Sequence, residues 1–299
     1  MAVADIPSSD YVFRERKRPI RGDEPSAIHF NLRYDMQQQT RGFAHIFNND
    51  IFQKMDDRKG TRKDRDNLKE TFTNLGFKVR VHDDCTASEI RDILLEASKV
   101  DHSDFDCFLC VFLTHGDDGI IYGSDGEPES FKGNGSVHST NRTWLRLNDD
   151  VFDIFRGNNC STLIGKPKIF IIQACRGGTA EFSAMIGSAA TDYEEPLETS
   201  VGVKVTIPTE ADFLISYSSS EGYYSFRELY KGTWFIQDLT RVLNEFGRNG
   251  DFIRMLTVVN KLVSERAIQG SGKPELEGKK QMPCFLSKLT RQLHLTAQT

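Results

Sequence analysis

A chain of 299 residues is long enough for one large domain or two small ones. Hydrophobic residues at 38% against 27% charged ones are the balance of a soluble globular protein, and a net charge of −5 provides no field to attract nucleic acid or an anionic membrane. No stretch approaches the roughly 18 apolar residues of a spanning helix, and residues 1–10 lack the basic start and apolar core of a signal peptide, so a cytoplasmic address is expected.

Residues 1–30 are polar and charged, and Arg14, Arg16, Lys17, Arg18 and Arg21 form a basic cluster. This composition predicts a short disordered arm, with a nuclear import signal as the alternative. From Gly42 onward strands and helices alternate. Phe43 to Phe47 reads as a strand, Asp64 to Leu75 as a helix with Leu68, Phe72 and Leu75 on one face, and Phe77 to Val81 as a second strand. Thr86-Ala-Ser-Glu89 is a capping-box pattern that opens a helix through Val100. Asp106 to Thr114 is a strongly apolar strand. Cys107 and Cys110 lie inside that run, so their CxxC spacing reads as buried strand; with no second ligand pair at suitable spacing, neither a metal nor a cofactor is expected. Without a signal peptide, the six cysteines do not suggest a disulfide framework.

The polar stretch from Gly123 to Arg146 interrupts this order, and within it 127–146 is expected to be an inserted loop. Asp149 to Phe155 reads as a short helix, and the apolar run from Lys168 to Ile172 as a buried strand leading into Gln173-Ala-Cys175-Arg-Gly177. After a second polar break come a strand from Ala211 to Tyr217 and a helix from Thr233 to Phe246, with Phe235, Leu239, Val242 and Phe246 on one face. A helix capped by Asp251 and a last strand from Met282 to Leu286 follow. Strands separated by helices predict an α/β fold, a mainly parallel six-stranded sheet with helices on both faces.

Two parallel strands, one ending at His115 and one at Cys175, would bring both side chains to one rim, where open α/β sheets bind their ligands. A thiol beside an imidazole can give up its proton and act as a nucleophile. Gly116 and Cys175 could offer backbone N–H groups to a developing oxyanion.

With Gln173-Ala-Cys-Arg-Gly177 stand Thr114-His-Gly-Asp-Asp-Gly119, Arg58-Lys-Gly-Thr61, Tyr223-Tyr-Ser-Phe-Arg227 and Gly232-Thr-Trp-Phe-Ile-Gln237. Together, and in this order, they resemble the caspases, cysteine proteases that cut after aspartate; the pentapeptide is itself a signature of that family. The resemblance runs from about residue 42 to the end, and the short arm is similar to that of an executioner. It implies a His115–Cys175 dyad, with the imidazole oriented by a backbone carbonyl near Asp56 rather than by a third side chain. It also implies a pocket for the aspartate preceding the scissile bond (P1) built from Arg58, Gln173 and Arg227. Tyr224 and Phe226 would line an apolar P2 pocket, and Trp234 and Glu228 would face P4.

Further implications concern processing and partners. The resemblance implies a zymogen cut in its linker at Asp192. Residues 31–192 would then be the large subunit, 193–210 the rest of the linker and 211–299 the small subunit. Asp5, Asp10 and Asp23 are alternative sites for removal of the arm. The partners implied are protein substrates with P1 aspartate, a second copy joined along the last strand as a homodimer of cleaved protomers, an upstream caspase and inhibitor proteins. A relative that cuts after basic residues would want acids at Arg58 and Arg227. An idle decoy would lack His115, Cys175 or a P1-pocket arginine, and all are present. Glu228, and the aromatic-poor loop Gly270-Ser-Gly272, argue against a strict preference for aspartate at P4.

Overall fold

The computed structural model describes residues 32–127, 142–176, 208–220, 225–269, 274 and 276–295. Strands β1 (Gly42–Asn48), β2 (Phe77–Asp83), β3 (Phe108–Leu113), β7 (Lys168–Gln173), β8 (Phe213–Tyr217) and β11 (Cys284–Ser287) form one sheet in the order β11-β8-β7-β3-β1-β2. Five of them are parallel, and β11 runs antiparallel to β8 at the edge. The expected six-stranded, mainly parallel sheet is therefore the observed one.

Each parallel connection must cross a face of the sheet, and the crossovers bury both faces. Ile169 and Ile171 of β7 pack in one cluster with Leu68 and Phe72 of α1 (Thr61–Asn74), Leu239 of α3 (Trp234–Phe246) and Leu256 of α4 (Phe252–Glu265). The alternate residues Phe170 and Ile172 point into the opposite cluster, with Ile90 and Leu94 of α2 (Ala87–Lys99). This two-sided burial explains why β3 and β7 read as continuous apolar runs rather than alternating ones. In the second cluster Phe108 stacks on Phe155 with ring centroids 4.3 Å apart.

Two helix starts follow local chemistry. The Thr86 hydroxyl accepts from the Glu89 N–H, and the Glu89 carboxylate accepts in return from the Thr86 N–H at 2.8 Å. The Asp251 carboxylate accepts from the Arg254 N–H at 3.1 Å.

Several expectations need correction. Helix α1 starts three residues early, at Thr61, because Gly60 in a left-handed conformation (φ 95°) serves as its cap. The segment expected as one short helix is a π-helical turn, Leu147–Phe152, followed by a tighter turn, Asp153–Phe155. The stretch 127–146 is not loop throughout: Trp144–Arg146 is a strand, β6, with Trp144 and Leu145 buried. It completes a small antiparallel sheet with β4 (Gly116–Asp117) and β5 (Ile120–Tyr122). Strand β8 starts at Phe213, because Asp212 turns the chain with a positive φ of 68°. Phe246 is 46% exposed and does not share the buried face of α3. The arm 1–30, residues 128–141 of the expected loop, and Gly270-Ser-Gly272 lie outside the described residues.

Phe108→Ala is expected to lower the unfolding free energy by about 3–5 kcal/mol in urea titration, since it empties a fully buried ring site. Phe246→Ala is expected to cost about 0.5 kcal/mol or less in the same titration.

Candidate active site

Strands β3 and β7 are parallel neighbours in register, Leu113 opposite Gln173, and the Thr114 N–H donates to the Gln173 carbonyl at 3.2 Å. His115 and Cys175 each follow their strand by two residues, so both emerge at the same carboxyl-terminal rim. Gly116 closes the gap between the two segments. A Cβ at that position would lie 2.9 Å from the Ala174 Cβ and 3.0 Å from the Cys175 carbonyl oxygen. Only glycine lets the two backbones approach so closely.

The tautomer of His115 follows from its partner. Nε2 lies 2.8 Å from the carbonyl oxygen of Asp56. A carbonyl can only accept, so Nε2 carries the proton and Nδ1 remains the free base. The ring packs on Phe52, with centroids 4.6 Å apart. Burial, followed by the positive charges of Arg58 and Arg227, pushes the imidazole pKa down to about 4, although the Asp56 bond opposes the shift. At neutral pH the ring is therefore uncharged and able to accept a proton.

Beside this pair lies a cationic recess. Arg58 is 2% exposed, and its Nη1 donates to the Thr61 hydroxyl at 2.9 Å. Burial, then the neighbouring Arg227, lowers its pKa to about 9; Asp64, Cys175 and Asp50 act in the opposite direction. Arg227, on β9 (Arg227–Glu228), is half-buried; burial lowers its pKa as well, again opposed by Asp64, Cys175 and Asp50. Two guanidiniums thus converge near the sulfur. Gln173 is buried beside them: its Nε2 donates to the Ser225 hydroxyl at 2.7 Å, while its buried Oε1 has no hydrogen-bond partner among the described residues.

Asp64 is part of this recess and was not among the residues singled out from the sequence. It sits fully buried in the first turn of α1 and accepts from the Thr233 N–H at 2.9 Å. Burial pushes its pKa up to about 7, against the pull of Thr233, Arg58 and Arg227. Gly232 makes this contact possible, since a Cβ there would meet the Asp64 carboxylate at 2.1 Å. The carboxylate therefore ties α1 to β10 (Gly232–Thr233), the strand that pairs with β9. Its role could not be read locally, because Thr233 and Arg227, which it faces, lie far along the chain.

Phe226 is half-buried and packs against Trp234, with ring centroids 5.3 Å apart. Its backbone N–H donates to the Gln281 side chain at 2.7 Å. Trp234, expected as a wall of the cleft, is only 7% exposed and belongs chiefly to the core; its indole N–H donates to the Glu228 carboxylate at 3.2 Å. Glu228 also meets Lys231 at 3.1 Å and Arg266 at 3.8 Å, so its charge is partly neutralised within its own surroundings. Arg266 is in turn held by Asp238. Tyr224 and Asp192 lie outside the described residues. Among the described residues no cluster of three or more histidine, cysteine or acidic side chains could hold a metal ion.

A family model described as the caspase domain matches residues 41–294. Among curated proteins, caspase-6 of Bos taurus is 41% identical over 275 residues, covering 89% of this chain and 88% of the relative. Caspase-7 of Gallus gallus is 40% identical, covering 88% and 80%. Caspase-3 of Oryctolagus cuniculus is 39% identical, covering 87% and 86%.

A depressed histidine pKa means that the folded site resists protonation. As pH falls from about 6.5 towards 4, the unfolded chain takes up this proton first, and the stability tied to the neutral ring is lost across that window. In Cys175→Ala protein, NMR titration of the His115 ring is expected to give a midpoint near 4. A midpoint at 6.5 or above would contradict the burial and arginine effects described.

Proposed function

This chain belongs to the caspase family and is a cysteine-type endopeptidase, and on that premise we propose that it cleaves protein substrates on the carboxyl side of aspartate. The observation that carries this reading is the pair of arginines, Arg58 and Arg227, gathered beside Cys175. Planar guanidiniums suit a carboxylate in two-point geometry, and a neutral P1 side chain would leave their charge only partly offset by Asp64 and Asp50. Glutamate, one methylene longer, would displace its carboxylate from that fork.

In the proposed reaction, Nδ1 of His115 takes the Cys175 proton, and the sulfur attacks the scissile carbonyl carbon. The backbone N–H groups of Gly116 and Cys175 stabilise the resulting oxyanion; one such donor is worth about 10²–10³ in rate. The tetrahedral intermediate collapses to an acyl-enzyme as the C–N bond breaks, and the leaving amine takes the proton from His115. Water, deprotonated by the same Nδ1, then attacks the thioester and releases the new carboxylate, restoring the thiol. The Asp56 carbonyl keeps the ring oriented throughout.

Beyond P1, Tyr224 and Phe226 form the P2 pocket in this reading. Glu228 and Trp234 lie towards P4, where neutral or aliphatic residues are tolerated. The chain is made as a zymogen whose linker is cut at Asp192, and two cleaved protomers pair along β11. Activation by an upstream caspase, control by inhibitor proteins, a cytoplasmic setting with nuclear entry, and a role in apoptosis or related proteolytic signalling complete the proposal. Among the described residues no helix is long and apolar enough to cross a membrane.

The test is a positional library of fluorogenic peptides, read with wild type and with Cys175→Ala. Wild type is expected to favour P1 aspartate over asparagine or alanine by about 10⁴ in kcat/KM, with glutamate a poor second. Cys175→Ala is expected to cleave none. Equal rates for aspartate and asparagine at P1 would overturn the arginine argument, and dominance of aspartate at P4 would overturn the P4 reading. Asp192→Ala is expected to prevent maturation into two bands on a denaturing gel. Two bands of unchanged size would place the cut elsewhere.

A further inference from the structure

The recess that would receive a P1 carboxylate already holds one of its own. Asp64 is fully buried, and both of its carboxylate oxygens lie within reach of the Thr233 N–H, at 2.9 and 3.1 Å. It faces the same two guanidiniums, Arg58 and Arg227, whose charges favour its ionised form. The Thr233 hydroxyl is buried as well, and its oxygen has no hydrogen-bond partner among the described residues. A hydroxyl can donate to an ionised carboxylate or accept from a neutral acid, so this residue suits both charge states of its neighbour.

The other charged groups on the elements around Asp64 have partners. On α1, Arg62 pairs with Asp50 and Arg65 with Asp83; on β9, Glu228 pairs with Lys231; on α3, Asp238 pairs with Arg266. Asp50 and Cys175 act on the arginines from the far side of the recess. Burial pushes the Asp64 pKa up to about 7, so near neutral pH the acid keeps its charge only with the help of Thr233, Arg58 and Arg227. A second carboxylate set between the guanidiniums offsets the charges that provide this help and adds a like charge nearby. Both effects favour the protonated acid.

We infer that Asp64 is a specificity-determining positioning residue, the resident counter-ion of Arg58 and Arg227, and that it takes up a proton from solvent when a P1 carboxylate enters. This inference rests on the protease reading above and deepens it. One Asp64 oxygen gains the proton and turns it towards the Thr233 hydroxyl. The other still accepts the Thr233 N–H, so β10 and its partner β9 keep Arg227 in place. When the cleaved product leaves, the proton returns to solvent. Binding of a P1 carboxylate is therefore strongest at a pH where Asp64 is already neutral, and it weakens as pH rises through 7 towards the higher pKa of the occupied recess. His115 titrates near 4 and lies outside this window. The guanidiniums stay charged across it.

The experiment uses Cys175→Ala protein, cleaved in its linker by added wild type, and a tetrapeptide amide with P1 aspartate. Titration calorimetry at pH 7.5 in two buffers of different ionisation enthalpy counts the protons bound with the peptide. An uptake of about half a proton or more per peptide is expected, with affinity falling about fivefold from pH 6.5 to 8. Asp64→Asn, added to the same protein, keeps an oxygen for the Thr233 N–H and has no charge to lose. There the uptake is expected to vanish and the affinity to become flat over this range. Binding without proton uptake in the Cys175→Ala protein would overturn this inference alone, and that measurement decides even where Asp64→Asn does not fold. So would an uptake that persists unchanged in Asp64→Asn. Failure of wild type to cut after aspartate would overturn the protease reading and this inference with it.

Discussion

Two positive charges are held out of water beside the sulfur, and the rest of the cleft is arranged around the cost of keeping them there. Burial alone disfavours both Arg58 and Arg227. The fold answers with buried or nearby acids, Asp64 and Asp50, and with oxygen acceptors on Thr61 and Asn49. Asp64 serves twice, since it also accepts the Thr233 N–H and so anchors the strand pair that carries Arg227. These acids offset only part of the two positive charges, so an incoming carboxylate meets guanidiniums that are already desolvated and oriented and still short of counter-charge. Preorganised charge of this kind is worth more than the same charge in water, because little reorientation remains to be done at binding.

The same charges shape the histidine. Their field and the buried ring favour a neutral imidazole, and the Asp56 carbonyl fixes which nitrogen carries the proton. A backbone carbonyl orients the ring without adding a negative charge that would stabilise its protonated form. One cationic recess can thus favour an acidic side chain and keep the neighbouring base uncharged.

Much of this was legible in the sequence, and the parts that were not share a physical cause. β3 and β7 announced themselves as apolar runs because both faces of the sheet are covered. The starts of α2 and α4 were readable because capping is local chemistry, carried within a few residues of Thr86 and Asp251. His115 and Cys175 could be placed together because each follows such a strand. By contrast, β9 and β10 are two residues each, and their pairing depends on Asp64, far away in the chain. β6 lies inside a polar stretch and gains its identity only from β5, over twenty residues earlier. Burial of Arg58 was invisible for the same reason, since its counter-charges arrive from other elements. Trp234 shows the opposite case: an aromatic that a motif assigns to the cleft spends most of its surface in the core.

The crossover between β7 and β8 has a mechanical meaning. These strands are adjacent and parallel, Lys168 opposite Phe213 through Ile172 opposite Tyr217, although a tether of some forty residues of sequence separates the end of one from the start of the next. Among the described residues, both strands are held mainly by other parts of the sheet and its two apolar layers. β8 is clasped on its other side by β11, and the side chains of both strands are shared between the two apolar layers. A nick anywhere in the tether would turn one polypeptide into two pieces that behave as an obligate heterodimer, with an interface resembling a domain core cut in half.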